Sequence, residues 1–154
     1  MRIANATRRE VDALAKLMAA SPLLRRYRVS EDGARASLSE ALRRRDTLLV
    51  ASERGTIVGL AWLIATRALD RSAYLRLLLV AEGRQSRGLG AALLASAERR
   101  ARAAGCRHLA LLVTSTNRPA RTFYQRQGYR YVGALPGFVR RSIDEVLYVK
   151  SWRA

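Results

Sequence analysis

The chain has 154 residues, the length of one ordinary domain, and its 49% hydrophobic and 27% charged residues are typical of a globular protein. Its longest apolar runs fall far short of the roughly 20 residues that a membrane span needs, and the N-terminus lacks the apolar region of a secretory signal. One cysteine, Cys106, excludes an internal disulfide, and a single histidine, His108, argues against a metal centre. We therefore expect one domain over residues 1–154, located in the cytoplasm, with no metal and no membrane partner.

The charge of the chain is strongly positive, because 29 Lys and Arg residues face 12 Asp and Glu residues, for a net charge of +17. Apart from Lys16 and Lys150, every one of these cations is arginine. A field of this sign attracts nucleic acid, acidic proteins and phosphate-rich ligands. The alternative is that the excess is only compositional, since no basic tail, RGG repeat or alternation of aromatic and basic residues marks a nucleic-acid module.

The hydrophobic spacing predicts eleven elements in the order β-α-α-β-β-β-α-β-α-β-β. The strands are predicted at 2–6, 47–53, 56–65, 74–80, 107–113, 129–135 and 145–150. The helices are predicted from Thr7, from Ser30, at 89–104 and at 119–127, and the first two are separated by an irregular basic segment at 23–29. The strand–helix–strand unit across residues 74–113 implies a right-handed parallel crossover within a mixed sheet. The sequence thus predicts an α/β fold.

Residues 85–90 read QSRGLG and join a predicted strand to the clearest predicted helix. Unpaired N–H groups at such a helix start bind phosphate, and Gly88 and Gly90 lack the Cβ that would hinder a close approach. Taken alone, the loop is either a plain strand-to-helix turn or a pyrophosphate site. A dinucleotide fingerprint is disfavoured because Leu93 occupies the position of its third glycine, and a P-loop because no lysine follows.

A second motif follows the strand at 107–113, where residues 117–129 read NRPARTFYQRQGY. Together the two motifs resemble those of the GCN5-related N-acetyltransferase (GNAT) superfamily. Its Q/R-x-x-G-x-G/A loop corresponds to Gln85, Gly88 and Gly90. Its later N-x-x-A-x-x-F-Y-x-x-x-G-F/Y segment corresponds to Asn117, Ala120, Phe123, Tyr124, Gly128 and Tyr129. The resemblance covers nearly the whole chain, and the C-terminal segment resembles the small-molecule and antibiotic-resistance branch in particular.

That resemblance implies a mixed, mostly antiparallel central sheet with a splayed parallel strand pair, flanking helices and acetyl-CoA as cosubstrate. A bulge in the strand at 74–80 would splay it from the strand at 107–113, so that the backbone of Leu78 and Val80 pairs with pantetheine. An N–H near Leu79 and Val80 would polarise the thioester carbonyl, while Arg84 and Arg87 flank the phosphates. The cofactor-binding residues implied are Leu78, Leu79, Val80, Gln85, Ser86, Arg87, Gly88, Leu89, Gly90, Ala91 and Asn117.

Tyr124 faces the departing sulfur if the family match holds, and a phenol with a pKa near 10 is a suitable proton donor to a thiolate. The alternative is that Phe123 and Tyr124 are only an aromatic pair that packs a short helix. Asn117 is expected to cap that helix and, by the resemblance, to contact the cofactor. Many relatives carry an acid in the middle of the strand before the loop, but Arg76 and Leu77 stand there, and Glu82 lies at the strand's end.

No general base is therefore identified, and we expect deprotonation through ordered water or an acceptor amine of low pKa. Candidate acceptor-site residues, each of which could equally be core or rim, are Tyr27, Trp62, Tyr74 and Phe138, with Leu24 and Arg140 beside them. The expected function is direct transfer of an acetyl group from acetyl-CoA to a primary amine in a ternary complex.

Two alternatives stay open beside this function. One is acetylation of an aminoacyl-tRNA or of a ribosomal or other protein amine. The other is a basic nucleic-acid-associated protein that only binds CoA. Candidate partners are thus acetyl-CoA, a small-molecule amine, an anionic molecule on the basic surface and a second copy in a homodimer.

Overall fold

A computed structural model describes residues 1–85 and 87–153 of the chain. The strands are β1 (Arg2–Asn5), β2 (Thr47–Glu53), β3 (Thr56–Ala65), β4 (Ser72–Val80), β5 (His108–Thr114), β6 (Arg130–Arg140) and β7 (Ile143–Ser151). The helices are α1 (Val11–Ala19), α2 (Pro22–Arg26), α3 (Glu31–Arg43), the single turn α4 (Ala68–Arg71), α5 (Leu89–Ala103) and α6 (Arg118–Arg126). A 3-10 turn at Arg8–Glu10 precedes α1, and the Glu10 carboxylate accepts a hydrogen bond from the Thr7 backbone N–H at 2.7 Å.

The strands form one sheet in the order β1-β2-β3-β4-β5-β7-β6. Only the β4–β5 pair is parallel within the described residues, and every other neighbouring pair is antiparallel. The predicted α/β class, the mostly antiparallel sheet and the parallel pair are all confirmed.

Three segments differ from the prediction, and one of them is the single turn α4, which was not predicted. The segment at 23–29 was expected to be irregular, but α2 begins at Pro22, with the Ser21 hydroxyl accepting a hydrogen bond from the Leu24 N–H. Pro22 occupies the first helical position, where its missing N–H costs nothing, so the residues that end α1 also start α2. Strand β6 continues beyond the predicted end at residue 135, past Pro136, because it lies at the sheet edge, where proline is tolerated.

Two apolar clusters cover the two faces of the sheet. On one face α5 packs its buried side chains, among them Leu93 and Leu94, against β2, β3, β4 and β5. On the other face α1 and α3 pack against β2 and β3 around Leu14, Leu38 and Leu60. Gly59 lets α5 approach β3 closely, since a Cβ there would lie 2.7 Å from the Leu93 Cδ1 atom.

Strand β4 contains a bulge at Arg76. Leu75 pairs with Leu63 and Leu77 pairs with Trp62 on the neighbouring β3, which leaves Arg76 as the extra residue. Before the bulge, Leu75 packs on the α5 face of the sheet; after it, Leu78 packs there while Leu77 joins the opposite cluster. The alternation of side chains between the two faces of the sheet is therefore shifted by one residue at Arg76.

The parallel pairing of β4 with β5 ends just before that bulge. It runs from Ser72 opposite His108 to Leu75 opposite Leu111, and the strands are unpaired beyond. The bulge and splay that the family resemblance implied are thus present in the register.

No helix in the part of the chain that the structure describes has the length and apolar character to cross a bilayer. The cytoplasmic location stays a prediction.

Candidate active site

A cleft of about 860 Å³ opens where β4 and β5 separate. Its walls are β4 from Tyr74 to Val80, the end of β5, the α2 segment, the start of α3, and the first two turns of α6. The cleft therefore joins some of the predicted cofactor residues to most of the predicted acceptor residues, while Arg87 and residues 88–91 do not line it. Of the predicted residues, it is lined by Tyr27, Trp62, Tyr74, Leu78, Leu79, Val80, Gln85, Asn117 and Tyr124.

The β4 edge of the cleft offers free backbone groups. The Ala81 N–H donates to the Val58 carbonyl at 2.8 Å, so Ala81 and Val58 form a hydrogen-bonded pair of the antiparallel ladder. Because such pairs alternate, the backbone of Leu79 also faces β3, whereas that of Leu78 and Val80 faces the gap left by β5. The pairing of Leu78 and Val80 with pantetheine would use these outward groups and stays a prediction. In this alternation the N–H of Leu79 is directed at β3, and the N–H of Val80 is directed at the cleft.

The start of α5 carries the predicted phosphate loop. Its N-cap residue Gly88 has φ +77°, a left-handed conformation that favours glycine, and no heavy atom outside the neighbouring residues lies within 4 Å of a Cβ built there. The first intrahelical bond runs from the Ala92 N–H to the Gly88 carbonyl, which leaves the N–H groups of Leu89, Gly90 and Ala91 without a helical acceptor. No acidic residue stands in this first turn. The geometry fits an anion.

The arginines beside this loop differ. Arg84 donates to the Glu53 carboxylate at 2.7 Å, so its charge is partly neutralised. Arg87 is exposed and forms no ion pair within residues 1–85 and 87–153. Of the two, Arg87 is therefore the one available to a phosphate. Ser86, which was also predicted to bind the cofactor, lies outside the described residues.

Helix α6 places Asn117 and Tyr124 beside the same edge. The Asn117 side chain accepts a hydrogen bond from the Ala120 N–H at 3.2 Å and so caps the helix as predicted, while also lining the cleft. Phe123 packs near the start of α5, where its ring would lie 3.6 Å from a Cβ at Gly90. A Cβ at Gly90 would thus be in ordinary van der Waals contact with this ring, which shows that α6 and the phosphate loop are close neighbours.

Tyr124 combines burial with access to the cleft. Its side chain is 9% exposed, and its ring makes edge contacts with Phe123 and Tyr129 at centroid distances of 5.1 and 5.6 Å. Burial raises the pKa of its hydroxyl well above the usual tyrosine range, and no hydrogen bond contributes to that shift. The phenol is therefore kept in its protonated form, the form that a proton donor needs.

The predicted acceptor residues are only partly brought together. Tyr27, Trp62 and Tyr74 line the cleft, with the Trp62 indole N–H donating to the Asp46 carboxylate at 3.0 Å. Phe138 does not line it and is 63% exposed on β6, whereas Val139 and Arg140 beside it do line the cleft. Its position depends on the extension of β6 past Pro136, which sequence periodicity did not predict.

Sequence reasoning missed Glu145, which lines the cleft and is 3% exposed. The Tyr27 hydroxyl donates a short hydrogen bond to its carboxylate and lies 2.6 Å from the Thr114 hydroxyl. Desolvation, followed by hydrogen bonding to Glu145, raises the pKa of Tyr27 to about 12. The available signal was that Glu145 shares one strand face with Ile143 and Leu147, but the predicted strand began only at residue 145.

No cluster of three or more His, Cys, Asp or Glu residues suited to a metal occurs among residues 1–85 and 87–153. The geometry assembled is instead that of an open strand edge, an anion-binding helix start and a protonated phenol around one cleft.

Comparison with known proteins gives one family and several similar structures. YdhI of Bacillus subtilis (strain 168), described as uncharacterized, is 34% identical over 58 residues, which are 38% of this chain and 36% of YdhI. The ribosomal-protein-alanine N-acetyltransferase from Brucella melitensis superposes with a TM-score of 0.79 at 23% identity, over 99% of this chain and all of that chain. An aminoglycoside 6'-N-acetyltransferase complexed with coenzyme A gives a TM-score of 0.81 at 18% identity, over 98% and 97% of the two chains.

Because these structures are less than 25% identical to the chain, they establish its fold but not its function. The fold that they establish is the one that the family resemblance implied. The sequence model of the Acetyltransferase (GNAT) family matches residues 13–129, which is most of the chain. The chain therefore belongs to the GNAT acetyltransferase family.

Proposed function

We propose that this protein transfers an acetyl group from acetyl-CoA to a primary amine by direct attack within a ternary complex. The observation that carries the proposal is the splay of β4 from β5 after Leu75, which opens a backbone edge between the start of α5 and Tyr124. The family to which the chain belongs, and the coenzyme A bound to one similar acetyltransferase, support the same ligand.

The residues of the cleft suit the parts of such a cosubstrate. Bound acetyl-CoA would supply an acetyl thioester with sulfur as its leaving atom. The outward backbone groups of Leu78 and Val80 would hold the amide-rich pantetheine arm as an additional strand, and the N–H of Val80 would polarise the thioester carbonyl. The free amides at Leu89, Gly90 and Ala91, with Arg87 beside them, would bind the pyrophosphate.

Tyr124 would act as the general acid. Its hydroxyl is kept protonated by burial and has no competing hydrogen bond within residues 1–85 and 87–153. It is therefore available to give its proton to the departing sulfur, while the attacking nitrogen loses one proton through ordered water and the phenol is reprotonated from solvent, so that an amide and a free thiol leave. The acceptor amine would enter from the side of Tyr27, Trp62 and Tyr74.

The test is stabilisation by CoA and acetyl-CoA in thermal melts. A ligand at 100 times its Kd stabilises the native state by about 2.7 kcal/mol. At about 2–4 °C per kcal/mol for a chain of this size, that corresponds to a rise in Tm of about 5–10 °C. Gly88→Val should lose most of this rise, because it places a branched side chain where the phosphates bind.

Gly55→Val is the matched control. Gly55 lies in the β2–β3 turn with φ +79°, and it too has no heavy atom outside the neighbouring residues within 4 Å of a built Cβ. Both variants therefore carry similar backbone strain, about 1–2 kcal/mol, but only Gly88→Val touches the loop. Equal ligand shifts in the two variants, or no shift in the unmodified protein, would contradict the proposal.

A second candidate is acetylation of an amine carried by RNA or by a ribosomal protein. The net charge of +17 favours it, because basic surfaces concentrate polyanions. Binding of an RNA duplex with strong salt dependence, together with CoA binding and no turnover of small amines, would select this candidate. RNA binding without CoA binding would instead indicate a nucleic-acid-associated protein.

A further inference from the structure

The cleft contains a buried acid that no cation neutralises. Glu145 is 3% exposed, and its carboxylate forms no ion pair within 4.0 Å among residues 1–85 and 87–153. In a chain with 29 Lys and Arg residues, seven of the twelve acids are paired within the described residues, and Glu145 is the only buried acid among the other five. Those seven are Asp12, Glu31, Asp32, Glu40, Glu53, Asp70 and Glu98. A buried carboxylate without a cation costs free energy, and a cationic ligand would remove that cost.

The groups that face Glu145 leave room for such a ligand. Tyr27 donates one hydrogen bond to the carboxylate from α2's C-terminal end, and Thr114 of β5 contacts the Tyr27 hydroxyl. Arg26 is close enough to lower the pKa of Glu145 and Asp144 to raise it, but burial is the largest cause and raises it. A carboxylate has four lone-pair sites, so one hydroxyl leaves several free for the N–H donors of an ammonium group.

The same cleft contains a base that no acid neutralises. Arg76 is the bulge residue of β4, and its guanidinium lies 4.6 Å from the centre of the Trp62 ring. Arg76 lines the cleft and forms no ion pair in the described part of the chain, although it also borders a neighbouring pocket that Glu40 and Asp46 line. Arg28 and Arg140 also line the cleft, and Arg140 donates to the Tyr27 carbonyl at 2.7 Å.

Tyr74 lines the same cleft and is close to both unpaired charges. Both Arg76 and Glu145 act electrostatically on its hydroxyl, the arginine lowering its pKa and the glutamate raising it. Yet Arg76 and Glu145 are not within 4.0 Å of each other, since no ion pair joins them. Glu145 and Arg76 are therefore separate, oppositely charged groups that line one cleft.

We infer that the acceptor is an amine that also carries an anionic group, such as a carboxylate. Its ammonium group binds Glu145 and Tyr27, and its anionic group binds Arg76. This inference rests on the proposed function and specifies its substrate class. A second ammonium group would instead meet Arg76, Arg28 and Arg140, so polyamines and aminoglycosides are poor acceptors.

The test compares acceptors that differ only by a carboxylate. L-phenylalanine is paired with phenethylamine, L-histidine with histamine and L-ornithine with putrescine. Each is titrated by calorimetry into the protein saturated with CoA, so that no turnover is required. Because a hydrogen bond between charged groups contributes strongly to binding, we expect the carboxylated member of at least one pair to bind about 10- to 100-fold more tightly.

Two variants test separately whether Arg76 binds the anionic group and whether Glu145 binds the ammonium group. In Arg76→Gln the ratio of affinities within the pair should fall to near one. In Glu145→Gln both members of the pair should bind at least 10-fold more weakly. Arg9→Gln removes the same charge from the 3-10 turn before α1, so it controls for net charge and should keep the ratio. Thermal melts confirm that each variant is folded.

The outcomes separate this inference from the proposed function. If CoA stabilises the protein but no pair shows a preference, or the preference survives in Arg76→Gln, the inference is overturned and the acetyltransferase proposal stands. If CoA gives no stabilisation, the proposed function fails. The same titrations into the CoA-free protein then decide whether the cleft prefers carboxylated amines, and no preference there overturns the inference as well.

Discussion

Replacing Tyr124 by phenylalanine separates its chemistry from its packing. The substitution keeps the ring and therefore its edge contacts with Phe123 and Tyr129 at 5.1 and 5.6 Å. The hydroxyl has no hydrogen-bond partner within residues 1–85 and 87–153, so its loss should change the free energy of unfolding by less than about 0.5 kcal/mol. General acid catalysis contributes about 10²- to 10⁴-fold, or about 3–5 kcal/mol of barrier. We expect kcat to fall by that factor.

The matched control is Tyr129→Phe. Tyr129 is also buried in the same aromatic cluster, but its hydroxyl donates to the Glu98 carboxylate at 2.9 Å. Its loss should lower the free energy of unfolding by about 2 kcal/mol, the usual value for a hydrogen bond to a charged group, and leave kcat unchanged. We thus expect Tyr124→Phe to lower kcat without changing stability, and Tyr129→Phe to lower stability without changing kcat.

The assay is thiol release at saturating acetyl-CoA under conditions where chemistry limits the rate, with urea unfolding on the same preparations. Acetyl-CoA affinity should be nearly equal in all three proteins. Because burial raises the pKa of Tyr124 above the usual tyrosine value of 10, its ionisation should not limit kcat below pH 10. An unchanged kcat in Tyr124→Phe would refute the general-acid role and leave Tyr124 as a packing residue.

Three further predictions concern stability, pH and charge. Leu93→Ala should cost about 2–5 kcal/mol in urea unfolding, because this fully buried side chain fills the space above Gly59. Burial raises the pKa of Glu145 in the folded state, so the folded protein binds more protons than the unfolded chain between the two pKa values. Stability should therefore fall as pH rises from the ordinary glutamate pKa through the folded value, and urea midpoints in Glu145→Gln should lack this slope. Spermidine should be a weaker acceptor than neutral or anionic amines at low salt, since a net charge of +17 repels it, and efficient spermidine turnover there would contradict this.

Local sequence patterns determined most of the helices and strands and the cofactor side of the site. The helix at α5 and the loop before it follow from apolar spacing and from glycines that act within a few residues, so both could be predicted without the rest of the fold. The cap at Asn117 and the position of Tyr124 on α6 are equally local. These features depend on backbone geometry over one or two turns, which the nearby residues control.

Tertiary structure alone decided the acceptor side. Tyr27 and Glu145 are 118 positions apart, and their hydrogen bond forms only because β7 lies next to β5 and α2 closes over the end of both. The bulge at Arg76 is defined by the pairing of β4 with β3, which the sequence of β4 alone does not show. Phe138 lies outside the cleft because β6 runs along the edge of the sheet. Strand order and register are set by the summed packing of the two faces of the sheet, which no local pattern in a single strand encodes.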